Sequence, residues 1–486
     1  MSKNRQRPFA RGGLVYTLGR PRGPTLLLLL ALACTEPASA PCIAGFSRAD
    51  DGTCAYAGAE EGPTFEPDDS ATPTETGEPP DSGDSAGDTA DTADTAPAPG
   101  PKNVVVVVMD AGRWGLVDEA TMPRLTSRIP EGVSVANMTN VAAWTRPTTA
   151  ALMSGVRWDE LGTGDFPEGM PDGVETLADR YHAAGYGTYL NSANAALWMK
   201  GYVHPFDAVS FPPQNAGLAE QAEMVRHFLE LQAGPSFVWV QAMETHIPYG
   251  QVAASCVDDV VAAEAGCPID VMSDPNGDAS FGVDPFADLT PEQRKACGVA
   301  IESAQRCTAT QLDGELDTFI ESLGPETMVL VVSDHGEGWL DPQADHNWGT
   351  SQKLTRGFFL LLNSTMSPQV VPSASQVDVM PTLLRESGLP YADLGIEGVP
   401  LGDAPTHEAS AWYCDFAGQM EVAVWEGDRQ LLRRDVSGDS VAHYQLFDTE
   451  VDPEGDTDLY QREPPSATLI AAVDAKVERT RGLCMP

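Results

Sequence analysis

Residues Asn103–Met109 read NVVVVVM, and Asp110-Ala111-Gly112-Arg113 follow directly. Five successive valines leave no polar face, the pattern of a central strand covered on both sides. Such strands belong to parallel sheets, whose crossover connections lay helices over both faces. Asp110 then stands at the carboxyl end of a strand, where open α/β sheets gather their chemistry.

Outward from this run, strands are expected at Thr188–Asn191, Phe237–Met243 (FVWVQAM), Met328–Val332 (MVLVV) and Gly357–Leu362 (GFFLLL). Helical patterns fall at Thr176–Ala184 and Glu302–Leu323, and Gln376–Gly388 reads as a strand or turn entering a helix. Strands alternating with helices predict an α/β domain over 102–408, a mostly parallel central sheet flanked by helices. About 250–300 the pattern is irregular and cysteine-containing, and is read as an insertion. From 409 to 486, WYCDFAG, EVAVWEG, RQLLRRD and YQLFDTE alternate like short antiparallel strands, with a helix expected at Ser466–Arg481. That predicts a small C-terminal α+β subdomain.

The stretch Asn140–Gly155, NVAAWTRPTTAALMSG, carries the central chemical expectation. Val141–Trp144 delivers Thr145 to a turn, a helix is expected to begin at Pro147, and Ser154-Gly155 ends it. Thr145 is thus placed at a strand-to-helix corner, its hydroxyl near a positive helix end that suits an oxyanion. Judged locally, Thr145 also fits a plain N-cap.

The 486-residue chain carries 29 Lys plus Arg against 71 Asp plus Glu, a net charge of −42. Such a field repels polyanions, so nucleic-acid binding is excluded. An anionic small substrate is compatible, because a bound cation inverts the charge locally. No feature calls for a protein partner.

Lys3, Arg5, Arg7, Arg11, Arg20 and Arg22 precede an apolar core, Thr25–Ala33 (TLLLLLALA), too short to span a bilayer. Residues 1–33 therefore read as a signal peptide. Ala31-Leu32-Ala33-Cys34 resembles the lipobox of bacterial lipoproteins, which implies lipidation at Cys34 and an exported, membrane-anchored protein of the cell envelope. Residues 34–58 hold this site and a cysteine-closed segment. Residues 59–101 form a linker in which Glu60–Ala96 has twelve acidic residues and no basic one, an extended tether.

Nine cysteines leave eight once Cys34 is set aside, an even number in a chain read as exported. Local pairing is expected: Cys42 with Cys54, Cys256 with Cys267, Cys297 with Cys307, and Cys414 with Cys484.

Asp110, the segment Glu244–Tyr249 and the pair Asp334-His335 all fall at expected strand ends. Carboxylates with one imidazole suit a single divalent cation. A threonine hydroxyl is a weak nucleophile until a metal or base lowers its pKa.

Seven segments in order, NVVVVVMDAGR, WTRPTTAALMSG, GVETLADRYHAAGYGTY, METHIPY, SDHGEG, QVDVMPTLL and LFDTEVDPEGDTDL, resemble the sulfatase branch of the alkaline phosphatase superfamily. The resemblance implies that Asp110, Asp334 and His335, with Thr145, ligate one divalent metal, Ca, Mg or Mn ahead of Zn. It implies Thr145 as nucleophile, His246 and Lys353 as contacts to the substrate's charged group, and His346, in DHNWGTSQK, as the group that helps the leaving group depart. Sulfatases of this branch carry Cys or Ser in a CxPxR-type motif, matured to an aldehyde-derived residue. Here the aligned residues are Thr145, Arg146, Pro147, Thr148 and Thr149, and Ala111 replaces a common acidic ligand. A directly attacking threonine resembles the family's phosphodiesterases and phospho-group transferases. The expectation is a metal-dependent hydrolase or transferase of phosphate esters. An atypical sulfatase is the first alternative, and a non-catalytic surface lipoprotein keeping the fold is the second.

Overall fold

The computed structural model describes residues 46–48, 54–56 and 101–483, apart from 102, 162–168, 172, 199–200, 204–205, 214, 248, 250–254, 257–288, 340–348, 393, 405–406, 415–418 and 437–440. The residues expected to form a signal peptide (1–33), Cys34, most of the expected acidic linker and His346 lie outside the described residues. Among the described residues no helix is long and apolar enough to cross a membrane. Strands β1 (Phe46–Arg48) and β2 (Cys54–Tyr56) pair antiparallel.

The central sheet is built around β3 (Asn103–Met109), where all five valines are buried. It pairs in parallel with β7 (Ser236–Ala242) on one side and β8 (Thr327–Ser333) on the other. Beyond β7 lie β5 (Gly187–Ser192) and β6 (Ala208–Ser210). Beyond β8 lie β10 (Phe359–Leu362), β4 (Val133–Thr139) and β11 (Gln369–Ser375), with the two-residue β9 (Arg356–Gly357) also on β4. Only β9 and β10 run against their neighbours, so the sheet is mostly parallel, as the valine run predicts.

The two faces of β3 feed different cores. Val104, Val106 and Val108 join one apolar cluster, and Val105, Val107 and Met109 the other. Period-two alternation of the strand makes this division. Helices α1 (Pro123–Arg128), α4 (Leu218–Leu231) and α5 (Pro291–Leu323) pack together, and side chains of all three enter the second cluster. Helices α2 (Thr145–Ser154), α3 (Leu177–Ala183) and α7 (Val379–Glu386) contribute side chains to the first, and α6 (Gln352–Thr355) is a single turn before β9.

Three expectations need correction. Helix α2 begins at Thr145, with Trp144 as its extended N-cap, so Thr145 is the first helical residue and Pro147 lies inside the first turn. Helix α5 begins at Pro291 rather than Glu302, because Thr290 and Gln293 close a capping box with proline in the first turn. That start also decides the cysteines. Cys297 and Cys307 lie ten residues apart on one helix, roughly 15 Å along its axis, beyond disulfide reach. Cys307 pairs with Cys256 instead, Cα atoms 5.6 Å apart. This excludes both the Cys256–Cys267 and the Cys297–Cys307 pairing. Cys297 and Cys414 are each disulfide-bonded. Cys42, Cys267 and Cys484 lie outside the described residues, and with them the expected partners of Cys54 and Cys414.

The C-terminal part is an antiparallel sheet, β12 (Ser410–Cys414), β13 (Met420–Glu426), β14 (Arg429–Asp435) and β15 (His443–Asp448), with helix α8 (Ala467–Thr480) laid on β13 and β14. Trp412 N donates to Val141 O at 3.2 Å, tying this sheet to the run before Thr145.

Candidate active site

Strands β3 and β8 pair in register from Asn103 with Thr327 to Met109 with Ser333. The residues leaving both strands therefore emerge side by side. Asp110, Asp334 and His335 come together there, all buried, with one ligand atom from each within 4.8 Å of the others. From the far side α2 brings Thr145, whose Oγ1 lies 3.5 Å from Asp110 Oδ1 and 3.4 Å from His335 Nε2. Thr145 opens α2, and Gly155 closes the other end at φ +68°.

The turn after β3 is held tightly. Ala111 takes φ +53°, and its N–H donates to Asp334 Oδ1 at 3.1 Å. Thr245 Oγ1 donates to Asp110 O, and Gln305 Nε2 donates to Ala111 O and Thr245 O. Gln376 Nε2 donates to Asp334 O while its Oε1 accepts from Val141 N, joining the Asp334 turn to the Thr145 stretch. At Gly336 any Cβ would collide with the Lys353 carbonyl, so the turn after His335 requires glycine. His335 Nδ1 lies 3.0 Å from Gly336 O, which leaves Nε2 facing the cluster.

The electrostatics are those of two carboxylates confined together. Burial first, and the Asp110 charge second, push the Asp334 carboxyl up to about 7. Burial also opposes ionisation of Asp110, but His246 and His335 outweigh it and hold that carboxyl below its usual range. His246 Nε2 stands 3.9 Å from Asp110 Oδ1. A dry pair of carboxylates with an adjoining imidazole is a donor set that fits one divalent cation.

Five of the site residues expected from the sequence thus converge: Asp110, Thr145, His246, Asp334 and His335. Lys353 stands differently. Its Nζ donates to Asp456 Oδ1 at 2.7 Å, in a cleft of about 320 Å³ shared with the neighbouring Gln352 and with Glu421, Arg434 and Glu454 of the C-terminal part. Arg113, three residues after Asp110, likewise pairs with Glu454 while stacking over Trp339, 3.9 Å from the ring centroid.

Two amides were not foreseen. Asn194 Nδ2 donates to Asp110 Oδ2 at 2.6 Å and reaches Thr145 Oγ1 at 3.3 Å. Gln241 Nε2 donates to Asp110 Oδ2 at 2.7 Å and Asp334 Oδ2 at 3.2 Å. The available signal was a lone polar side chain, Gln241, inside the apolar strand FVWVQAM. Asn194 follows β5 by two residues, the strand-end position already used for Asp110.

The sulfatase family model matches residues 102–389. No curated protein matches the sequence. Among solved structures, the chain is similar to a protein in complex with its substrate D-glucosamine-2-N,6-O-disulfate, at TM-score 0.58 and 13% identity, covering 79% of this chain and 98% of that one. A 2-O GAG sulfatase aligns at TM-score 0.57 and 14% identity, covering 78% and 93%. The phosphonate monoester hydrolase of Agrobacterium radiobacter aligns at TM-score 0.56 and 17% identity, covering 79% and 95%.

Proposed function

This chain belongs to the sulfatase family, and on that premise we propose that it cleaves or transfers phosphate esters, phosphodiesters or phosphomonoesters, with Thr145 as nucleophile. The observation that carries this reading is the environment of the Thr145 hydroxyl. Its Oγ1 lies 3.3 Å from Asn194 Nδ2, 3.4 Å from His335 Nε2 and 3.5 Å from Asp110 Oδ1. A threonine required only for helix capping has no need of a carboxylate, an imidazole and an amide around its oxygen.

Asp110, Asp334 and His335, with Thr145, would hold one divalent cation, the oxygen donors favouring Ca, Mg or Mn and the imidazole admitting Zn. Such a cation lowers the pKa of a hydroxyl and neutralises charge on ester oxygens. The rest falls to the chain's own groups. Thr145 Oγ1 forms a bond to phosphorus as the bond to the alcohol oxygen breaks. The hydroxyl proton leaves to solvent, and His346 protonates the departing alkoxide. Asn194 Nδ2 and His246 are assigned to the oxygens that gain charge, and Lys353, which pairs with Asp456 here, to the substrate's charged group. Water then cleaves the threonyl ester, or a second alcohol accepts the group.

The family match favours sulfate esters as the alternative substrate. The ratio of p-nitrophenyl sulfate to bis-p-nitrophenyl phosphate turnover decides between them. Export and lipidation at Cys34 belong to the same reading, and Cys34→Ser releases the protein from membranes if they hold.

The test is intact mass after brief incubation with bis-p-nitrophenyl phosphate, with and without Mn²⁺, Mg²⁺, Ca²⁺ or Zn²⁺. A metal-dependent phosphoryl adduct mapping to Thr145, absent in Thr145→Ala, is the expected result. Unchanged turnover by Thr145→Ala would end this mechanism.

A further inference from the structure

Two cations stand beside the turn that follows His335. The Lys353 carbonyl lies against Gly336, and Gly336 N donates to Leu354 O at 2.8 Å. Arg113 Nη1 donates to Glu337 O at 3.5 Å. Both side chains are held by acids two residues apart in one turn of the C-terminal part: Arg113 by Glu454, and Lys353 by Asp456 Oδ1 at 2.7 Å. Gly455 lies between those acids at φ +68°. The turn is tied internally, with Gly455 N donating to Asp452 O at 3.0 Å and Thr457 N to Asp452 Oδ2 at 2.7 Å.

The two pairs differ in what holds them. The Arg113 side chain is 1% exposed and stacks over Trp339, so Glu454 meets a fixed partner. The Lys353 side chain is 12% exposed but that of Asp456 is 62% exposed, so solutes reach the carboxylate end of this pair. An ion pair open to solvent on one side contributes little, and a second anion can displace its carboxylate. Against the turn lies buried Gln352, neither atom of whose amide meets a partner among the described residues. A Cβ on Gly455 would stand 3.4 Å from its Nε2. A cover that leaves a buried amide unsatisfied gains little by staying closed.

We propose that Glu454-Gly455-Asp456 is an acidic latch: Glu454 pins the turn on Arg113, and Asp456 occupies Lys353 as an intrachain competitor of the substrate anion. This rests on Lys353 contacting the substrate's charged group. With the latch closed the ammonium is already neutralised, so an incoming ester first has to displace Asp456. An ester oxygen then takes the place of Oδ1 on Nζ, while Glu454 keeps the turn tethered for reclosure.

The test is calorimetric titration of the full chain, in MgCl₂, with methylphosphonate, a tetrahedral anion with no ester bond to cleave. Asp456→Asn is expected to bind it about three- to fivefold more tightly than wild type, the worth of one half-exposed ion pair. Damage to the fold does not produce a gain. Glu450→Gln, at an exposed acid of the same loop, also removes one negative charge and is expected to leave the affinity unchanged. Lys353→Ala is expected to weaken binding about tenfold or more and to abolish the gain from Asp456→Asn. An equal or weaker affinity in Asp456→Asn, or the same gain in Glu450→Gln, overturns the latch alone and leaves Lys353 as a substrate contact. Unchanged binding in Lys353→Ala overturns that contact and the latch together, and so does failure of every variant to bind.

Discussion

Gln241 bridges Asp110 and Asp334: one Nε2 donates to Oδ2 of both, at 2.7 and 3.2 Å. It does so from the last turnings of β7, which pairs with β3 in parallel up to Ala242 opposite Met109. A neutral donor between two buried carboxylates offsets part of their repulsion and fixes their spacing. Gln241→Leu removes that donor without adding charge. Divalent-cation affinity is expected to fall about 10- to 100-fold, the usual consequence of losing a group that orients ligands. Titration with MnCl₂ at neutral pH measures it, and an unchanged affinity would show that the carboxylates are positioned by the backbone alone.

Asn194→Ala tests the amide beside the Thr145 hydroxyl. If Nδ2 stabilises charge that develops during attack, kcat falls about 100-fold or more with KM little changed. A loss confined to KM would make Asn194 a ground-state contact.

Glu244 offers a pH dependence outside the Asp110–Asp334–His335 cluster. It sits just past β7, buried, with Oε1 accepting from Leu218 N. Burial first, with the Glu315 charge adding to it, raises its carboxyl from 4.5 to about 7. The folded state therefore binds more protons than the unfolded state between those values. Stability falls as pH rises through this window, by at most roughly 3 kcal/mol, and this contribution is flat above it. Glu244→Gln keeps the acceptor for Leu218 and cannot ionise. The variant is expected to gain on wild type in urea denaturation from pH 5 to pH 8, and a constant difference across that range would contradict the assignment.

How much of this was readable in advance follows from what each residue depends on. Val104–Val108 fixed β3 to the residue because burial on both faces leaves a continuous apolar run. Asp110, Asp334 and His335 stood at the ends of such runs, so their meeting followed once the sheet was parallel. The start of α5 is also written in the sequence, in Thr290, Pro291 and Gln293, but it follows a cysteine-containing run without periodicity that hides it. Asn194 and Gln241 had no periodicity to announce them. An amide earns its role only from what lies opposite, and register across strands is not a local property. Lys353 shows the same limit: its amine meets Asp456, which is 103 residues away in sequence.

Lys476 anchors the C-terminal part to the segment after α2 and gives a stability test independent of chemistry. On α8 it is wholly buried and paired with Asp159, whose side chain is only 2% exposed, in the segment following α2. Burial lowers the lysine's pKa, and the Asp159 charge opposes that shift. Arg157 lies 3.9 Å from Asp159 and ties the same corner to Glu397 and to the Glu408 carbonyl. Lys476→Met leaves the buried Asp159 carboxylate with only the 3.9 Å contact to Arg157 and is expected to cost about 3 kcal/mol. Adding Asp159→Leu removes the stranded charge and should recover most of that loss, since an apolar pair of similar volume fits a dry site. Urea denaturation of both single variants and the double variant gives the coupling energy. If the losses simply add, Lys476 and Asp159 act independently, and the anchoring of α8 falls to the apolar contacts of Leu469, Val473 and Val477.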